Sequence, residues 1–232
     1  RPALPDTPCR LLTPAQTGAT AAQRIELVRA ELAKAGATAL AVTGLDCVGW
    51  LLNLRARDIP NTPLAVAFAL VTRDACTLFL ADGRLDAADA AVLAASGVTV
   101  RGYGELVDAV RAAGAGEVFL VDEGATNYDL YTALSAYKTV AGTDPIFALK
   151  GVKNEVELKN IRECHIRDGV AVVRFEMDLE KALAEGKELY ETDIEKMLQK
   201  RRAEQPGYLE DSFSTIAAWG PNAAMMHYHA EG

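Results

Sequence analysis

Several features that would mark common protein classes are missing from this sequence of 232 residues. There is no block of basic residues of the kind that binds a phosphate backbone, and the net charge is −8, so we expect no nucleic-acid partner. No apolar run approaches the roughly 18 residues that a membrane-spanning helix needs, and the first residues lack the apolar stretch of a signal peptide. We therefore expect no membrane partner either.

Cysteine is also scarce, and its spacing is irregular. The four cysteines contain no CxxC pair, which argues against a zinc site or a disulfide framework; they are Cys9, Cys47, Cys76 and Cys164. This usage predicts reduced, mostly buried thiols in a cytoplasmic protein. The GYG triplet at 102–104 lacks the third glycine and the later acidic residue of a dinucleotide-binding loop, so nucleotide binding is not favoured.

The residues that are present can build a globular core, because half of them are apolar. Residues 1–16 hold four prolines and predict an extended interdomain linker. Helical and strand patterns then alternate, from an amphipathic helix at 17–36 and a strand at 38–42 to a strand at 138–141. This alternation predicts an α/β domain around a mixed sheet, ending near residue 145.

The stretch 45–63 combines a short predicted helix, capped by Asp46, with a charged loop that ends in prolines. Two of its charged residues, Arg55 and Asp58, allow two interpretations. They could bind a ligand, or they could tie the loop to the body of the protein through an ion pair and capping bonds. We favour the second interpretation, because loop charges are usually solvated or paired locally.

A long helical pattern follows at 155–185, with Asn154 as its predicted N-cap. Cys164 and His165 lie in the middle of this pattern and could be imagined as a catalytic pair. Adjacent residues of a helix do not face each other, however. We therefore predict that Cys164 is a core residue and that His165 is a surface or packing residue.

Chemistry concentrates near the end of the sequence. A second helix is predicted at 192–203, with a capping box that starts at Thr192. An apolar strand at 214–219, a Gly-Pro-Asn turn and a return strand at 223–226 are then predicted as a hairpin. His227 and His229 would share one face of the return strand, with Tyr228 on the other.

Three segments together resemble one family, the Xaa-Pro aminopeptidases (aminopeptidase P). KGVKNEVELKNIRECHIRDGVA at 150–171 resembles the entry helix of their catalytic domain. SFSTI at 212–216 with GPNAAMMHY at 220–228 resembles the first hairpin of that domain. LDCVGWLLNLRARDIP at 45–60 resembles the middle domain of the long, three-domain form. Creatinases and prolidases share the catalytic fold, but the Trp-Leu-x-Asn-x-Arg stretch favours the long aminopeptidase.

The resemblance implies a creatinase-like, mixed-sheet middle domain at 17–145. Residues 146–232 would be the N-terminal part of a pita-bread (α+β) catalytic domain, incomplete here. We therefore expect a fragment of a metalloaminopeptidase, a hydrolase that cleaves the bond between an N-terminal residue and a following proline. Its substrates would be peptides with proline at the second position, and the full-length enzyme would be a cytoplasmic homodimer. Either the rest of a longer protein or another chain would cover the apolar surface of the last part.

The resemblance also implies a pair of divalent metal ions, typically Mn²⁺, held by two Asp, one His and two Glu downstream of the hairpin. This chain would then contain no metal ligand, and the ligands would lie beyond Gly232. His227 matches the family histidine that lies beside the metals and contacts substrate, so it is the candidate catalytic and substrate-binding residue. His229 has no family role, and we expect it to be solvated. The alternative is a non-catalytic binding or dimerisation module with the same fold.

Overall fold

The computed structural model describes residues 3–231. Residues 1, 2 and 232, at the outer ends of the predicted linker and the predicted catalytic part, lie outside the described residues. The chain divides into two compact units, and the boundary along the sequence falls between Glu157 and Leu158. Among residues 3–231, no helix combines the length and the apolar character that crossing a bilayer requires.

The first unit is built from short strands and helices that largely alternate along the chain. In order they are β1 (Arg10–Leu11), α1 (Pro14–Thr17), α2 (Ala21–Lys34), β2 (Ala39–Val42), α3 (Leu45–Leu51), β3 (Leu54–Arg55), β4 (Phe68–Val71), β5 (Cys76–Leu80), α4 (Ala87–Ala95), β6 (Val98–Gly102), α5 (Leu106–Arg111), β7 (Val118–Val121), α6 (Tyr128–Leu134), β8 (Lys138–Ala141) and α7 (Ile146–Gly151). The first turn of α8 (Glu155–Ala184) also belongs to this unit.

Six of these strands form one mixed sheet in the order β6-β5-β4-β2-β7-β8. The strand β4 runs antiparallel to both of its neighbours, and the remaining neighbours pair in parallel. The predicted α/β fold with a mixed sheet is thereby confirmed. The strands β4 and β5 form a hairpin around residues 73 and 74. Within the predicted linker at 1–16, β1 pairs antiparallel with β3 in a separate two-stranded ribbon.

Both faces of the sheet are covered, which explains why its central strands read as continuous apolar runs. Successive residues of β2 enter different apolar clusters: Leu40 packs on one side and Ala39 on the other. The first cluster includes residues from α2, α3 and α4, and the second includes residues from α5 and α6. The first unit is therefore a three-layer arrangement of helices, sheet and helices.

A buried arginine joins three distant parts of this unit. Arg24 on α2 is 2% exposed, and its guanidinium lies 4.5 Å from the ring centroid of Trp50. It donates hydrogen bonds to the side chain of Asn53 at 2.8 Å and to the carbonyl of Thr17 at 3.1 Å, and it also donates to the Trp50 carbonyl. An ion pair of 3.0 Å links it to Glu157 in the first turn of α8. Burial without a partner is costly for such a group, and these acceptors satisfy its two terminal nitrogens, whereas Nε is buried without a hydrogen-bond partner.

The predicted N-cap of α3 is wrong. The helix begins at Leu45, directly after Gly44, so Asp46 lies inside the first turn. Its carboxylate forms an ion pair with Lys150 instead of capping the helix. An acidic residue in a first turn is still favourable there, because the N-terminal end of the helix dipole is positive.

The charged loop after α3 has the structural role that we favoured. The Arg55 guanidinium donates to the carbonyls of Gly49 and Leu54 at 2.7 and 2.8 Å, which closes the end of the helix. Asp58 forms an ion pair of 2.6 Å with Arg84, and the two side chains are 0% and 2% exposed. The loop is thus tied to the body of the unit, as expected.

Asp58 also accepts hydrogen bonds from the Thr7 hydroxyl at 2.5 Å and from the Val66 amide at 2.6 Å. Burial acts to raise the pKa of Asp58. The bonds from Thr7, Val66 and Arg84 together outweigh burial, so the pKa lies below its usual range. The ionised form therefore stabilises the folded state.

We predict that Asp58→Asn lowers the free energy of unfolding by about 3 kcal/mol at pH 7, because it leaves Arg84 buried without its counter-charge. The folded-state pKa is depressed, so this contribution is complete above the ordinary aspartate value of about 4 and is lost as the pH falls through the folded-state pKa. Urea unfolding at several pH values measures it. An Asp74→Asn control in the exposed hairpin turn should differ little from wild type. A wild-type advantage that does not shrink as the pH is lowered would contradict the assignment.

Gly18 is required at the end of α1 for two reasons. Its φ is +74°, a conformation that residues with a Cβ rarely adopt. A Cβ would also stand 2.6 Å from Nδ2 of Asn154, and closer still to Oδ1. The Asn154 amide cannot move freely, because it donates to the Thr17 carbonyl at 2.9 Å and accepts from the Glu157 amide at 2.9 Å.

Gly36 provides a matched control for this contact, since its φ is +76° and nothing would meet its Cβ within 4 Å. We predict that Gly36→Ala costs about 1 kcal/mol, the price of the left-handed backbone, and that Gly18→Ala costs at least about 1 kcal/mol more, the typical value of a lost N-cap. Denaturant unfolding of the two variants gives the comparison. Equal losses would show that the Asn154 contact contributes nothing.

Candidate functional site

The second unit begins inside α8 and contains α9 (Glu191–Ala203) and a 3₁₀-helix at Gly220–Ala224. The predicted cap of α8 is confirmed: Asn154 Oδ1 accepts from the Glu157 amide, and Glu157 accepts from the Asn154 amide at 3.0 Å. This reciprocal pair is a capping box. The helix ends at Ala184, and Gly186 follows with a φ of +71°.

The predicted capping box at Thr192 is wrong by two residues. Helix α9 begins at Glu191, and Tyr190 is its N-cap. Asp193 occupies the third position of the helix, and its carboxylate accepts from the Tyr190 amide at 3.1 Å. Because Asp193 satisfies that amide, the carboxylate of Glu191 is left available for other partners.

Two arginines near the end of α9 bind aspartates of α8. Arg201 donates two hydrogen bonds to Asp178 at 2.6 and 2.8 Å. Arg202 donates to Asp168 at 2.8 Å. Paired bonds between a planar guanidinium and a carboxylate fix orientation as well as distance. The two helices of this unit are therefore held against each other by charged contacts.

The predicted hairpin is not found. Within residues 158–231 no strand is present, and the Gly-Pro-Asn turn forms part of the 3₁₀-helix. A strand is stable only with a partner that satisfies its backbone groups, and the described part of this unit offers none to residues 214–219. The predicted strands are therefore wrong, because an apolar composition alone does not supply the pairing that a strand needs.

The prediction that Cys164 is a core residue is also wrong, because this thiol is exposed. His165 is exposed too, as we expected for a surface histidine. Apolar residues of the same helix share this exposure: Ile166 is 68% exposed and Met177 is 64% exposed. The helix is amphipathic, but its apolar positions lack a covering partner among the described residues of the second unit.

His227 lies in an exposed turn that follows the 3₁₀-helix. Its φ is +57°, which is uncommon for a residue with a side chain. His229 is exposed as well. Because these residues do not form a strand, the prediction that both imidazoles share one strand face is wrong. The structure instead sets His227 apart by its left-handed backbone.

The turn that carries His227 is bound to the start of α9 through Glu191. One carboxylate oxygen accepts from the Trp219 amide at 2.6 Å, and the other accepts from the Tyr228 hydroxyl at 2.5 Å. The Asn222 amide lies 3.1 Å from both oxygens and 3.1 Å from the Tyr228 hydroxyl. The bonds from Tyr228, Trp219 and Asn222 lower the pKa of Glu191, and the same contact raises the pKa of Tyr228.

Sequence reasoning missed Glu191. Its partners Trp219 and Tyr228 are 28 and 37 residues away along the chain, so no periodicity connects them. The available signal was indirect: Asn222 and Tyr228 belong to the GPNAAMMHY stretch, and neither had been given a partner. Of the residues that the sequence singled out, the structure places the Tyr228 hydroxyl against this carboxylate, and it places Cys164 and His165 on α8. His227 directly precedes Tyr228 in the same turn.

Within residues 3–231 no group of three or more His, Cys, Asp or Glu side chains is arranged to hold a metal ion. The carboxylate of Glu191 is already occupied by three donors from the same unit. The geometry here is therefore that of a hydrogen-bonded turn that presents an imidazole.

Comparison with known proteins gives this turn its context. Residues 1–157 match the family model of the Creatinase/Prolidase N-terminal domain, and residues 159–232 match that of Metallopeptidase family M24. The chain belongs to the creatinase/prolidase metallopeptidase family. Both matches agree with the fold that the resemblance implied, an α/β domain followed by residues of a metallopeptidase domain.

Relatives that match nearly the whole chain include proteins named Xaa-Pro aminopeptidases. A probable Xaa-Pro aminopeptidase P from Coprinopsis cinerea is 37% identical over 98% of this chain and 39% of its own length. Xaa-Pro aminopeptidase app-1 from Caenorhabditis elegans is 32% identical over 100% of this chain and 39% of its own length. The crystal structure of the X-prolyl aminopeptidase from C. elegans, described as a cytosolic enzyme with a di-nuclear active site, matches with a TM-score of 0.93 at 31% identity. The chain spans 39% of the length of that structure as well.

Thiol reactivity tests whether the face of α8 that carries Cys164 is exposed, because the other three cysteines are buried. Burial raises the pKa of Cys9 to about 11 and of Cys47 and Cys76 to about 12. We predict that one thiol of the native chain reacts rapidly with a disulfide reagent at pH 8, namely Cys164, since thiolate character and exposure set the rate.

Four thiols should react after unfolding in denaturant, matching the four cysteines of the sequence. Cys164→Ser should remove the rapid phase, and Cys76→Ser should leave it unchanged. Two or more rapid thiols in the native protein would show that the buried cysteines are not protected as described.

Proposed function

We propose that this chain is part of a metal-dependent aminopeptidase that hydrolyses the bond between an N-terminal residue and a following proline. The observation that supports this best is the likeness to the C. elegans X-prolyl aminopeptidase across 100% of this chain. A match of this kind covers both units, so it is more specific than a match to the α/β fold alone. Peptides with proline at the second position would be the substrates.

The metals of the enzyme would be two divalent ions, and we propose Mn²⁺ because carboxylate-rich ligand sets suit it. When bound, such a pair lowers the pKa of a bridging water and stabilises negative charge on the substrate oxygen. We assign no ligand among residues 3–231, where no suitable cluster is found. The contribution of this chain would be to shape and position the substrate site beside the metals.

His227 is the proposed catalytic and substrate-binding residue. Its imidazole is on an exposed turn, and its backbone φ of +57° marks a conformation that must be held in place by its surroundings. An imidazole can donate a hydrogen bond to a substrate carbonyl or to the oxygen on which charge develops. His229 has the same exposure without the unusual backbone, and we assign it no role in the reaction.

The remaining features of the proposal concern organisation. Residues 1–16 would be an interdomain linker, residues 17–145 the middle domain and residues 146–232 part of the catalytic domain. The enzyme would act in the cytoplasm as a homodimer. What supports a cytoplasmic enzyme is the C. elegans relative, which is described as cytosolic.

A non-catalytic binding or dimerisation module is the second candidate. It is favoured by large apolar side chains that stand open on the second unit, such as Phe213 at 68% exposed, Trp219 at 84% and Met226 at 89%. Exposed apolar groups of this size usually mark a surface that another chain segment covers. This candidate predicts partner binding without peptide hydrolysis.

The decisive experiment uses the full-length gene product that contains this chain. Purified protein is assayed on matched peptides that differ only in having proline or alanine at the second position. The proposal expects release of the first residue from the proline peptide alone, loss of activity after chelation and recovery with Mn²⁺. A well-folded, metal-loaded protein that cleaves neither peptide would overturn the proposal in favour of the binding module.

His227→Ala tests the assigned residue in the same assay. We predict a fall in kcat/KM of about 10²-fold or more, the usual size for loss of a group that stabilises developing charge or transfers a proton. His229→Ala is the matched control, because it removes a neighbouring exposed imidazole, and we expect its kcat/KM to stay close to wild type. Similar losses in the two variants, or none in His227→Ala, would remove the role assigned to His227.

A further inference from the structure

We propose that Glu191 is the positioning residue of the turn that carries His227. Its carboxylate binds one residue before the 3₁₀-helix, one inside it and one directly after His227, and so fixes where the imidazole stands. The structural part of this inference stands on the contacts alone. Its catalytic consequence rests on the proposed function.

The first argument is the number and placement of the bonds. Glu191 accepts from the Trp219 amide at 2.6 Å and from the Tyr228 hydroxyl at 2.5 Å, so the two ends of the turn meet at one carboxylate. Asn222, inside the 3₁₀-helix, completes the network at 3.1 Å from each carboxylate oxygen. Three donors converge on this one carboxylate. Hydrogen bonds to a charged acceptor are stronger than bonds between neutral groups.

The second argument is that the anchor is itself rigid. Glu191 is the first residue of α9, a helix of 13 residues. Arg201 and Arg202 bind this helix to α8 through Asp178 and Asp168. The turn, by contrast, has no helix or strand between Met225 and Glu231. We therefore infer that the helix fixes the position of Glu191, and that Glu191 in turn fixes the position of the turn.

The third argument concerns His227 itself. Its left-handed backbone leaves few ways to place the imidazole, and the next residue, Tyr228, is held by Glu191. Among residues 3–231, the His227 side chain makes no hydrogen bond of its own. The bond from Tyr228 to Glu191 is therefore the nearest contact that can orient the imidazole. A small displacement of a catalytic group lowers the rate strongly even when binding is retained. Loss of the Glu191 bonds should therefore affect turnover more than substrate affinity.

The test compares Glu191→Gln with Glu188→Gln in the full-length protein. Glu188 is a matched control, since it also accepts from a tyrosine hydroxyl, that of Tyr190 at 2.8 Å, but touches neither end of the His227 turn. Glu191→Gln should lower kcat by about tenfold or more with little change in KM. Glu188→Gln should leave both close to wild type. Tyr228→Phe, which removes one hydroxyl, serves as a milder second variant should Glu191→Gln fold poorly.

Amide hydrogen exchange supplies a readout that does not depend on activity. The Trp219 amide donates directly to Glu191, so its protection, and that of the segment up to residue 229, should fall in Glu191→Gln and stay unchanged in Glu188→Gln. The double variant Glu191→Gln/Tyr228→Phe should lose less amide protection than the sum of the losses in the two single variants, because both substitutions remove the same contact.

The outcomes separate the two claims. If the wild-type protein cleaves proline peptides and Glu191→Gln behaves like Glu188→Gln in both kcat and exchange, the positioning role is overturned while the proposed function stands. If the wild-type protein cleaves nothing, the proposed function fails, and the exchange of the Trp219 amide alone decides whether Glu191 holds the turn. A loss of kcat with unchanged exchange would also overturn the inference, because positioning requires the turn to loosen.

Discussion

Burial of the Arg24 guanidinium is the constraint on which the first unit depends. A charged group that is 2% exposed needs acceptors in fixed places, and Arg24 has them for both of its terminal nitrogens. Those acceptors come from the end of α1, the end of α3 and the first turn of α8, among them Thr17, Asn53 and Glu157. The Trp-Leu-x-Asn-x-Arg stretch, which helped to suggest the family, is explained by this need: Trp50 and Asn53 surround Arg24, and Arg55 closes the helix they terminate.

The second unit uses a related device with the opposite charge. Glu191 collects donors from the turn that carries His227, as Arg24 collects acceptors from the sheet domain. The two networks differ in surroundings: Arg24 is enclosed, whereas Glu191 lies among exposed residues such as Trp219 and Met226. Water competes for the bonds of an open carboxylate, so the Glu191 network contributes orientation more than stability. This difference agrees with a structural role for the first network and a functional role for the second.

Local chemistry was predictable wherever it acts over a few residues. The amphipathic pattern at 17–36 contains α2, Asn154 was identified as a cap, and the pattern of alternating helices and strands was recognised. The errors arose where two alternatives lay close together. Asp46 and Thr192 both have the composition of a cap, but Gly44 and Tyr190 occupy the cap positions. At the start of α9, the Asp193 carboxylate accepts a hydrogen bond from the Tyr190 amide, so the N-cap lies two residues earlier than predicted. Which of two nearby capping bonds forms depends on the three-dimensional structure.

By itself, the sequence determined the family and the α/β class, because these depend on residue type, periodicity and motif order along the chain. It also named His227 as a candidate, which stays a prediction. Tertiary structure decided which residues meet. Residues 220–224 form a 3₁₀-helix followed by an exposed turn where a hairpin was expected, and Cys164 is exposed. Glu191 binds Trp219 and Tyr228, which are distant from it in sequence. The physical reason is that strand pairing, burial and the convergence of polar groups are properties of segments far apart in sequence. No local pattern records whether a partner for them is present.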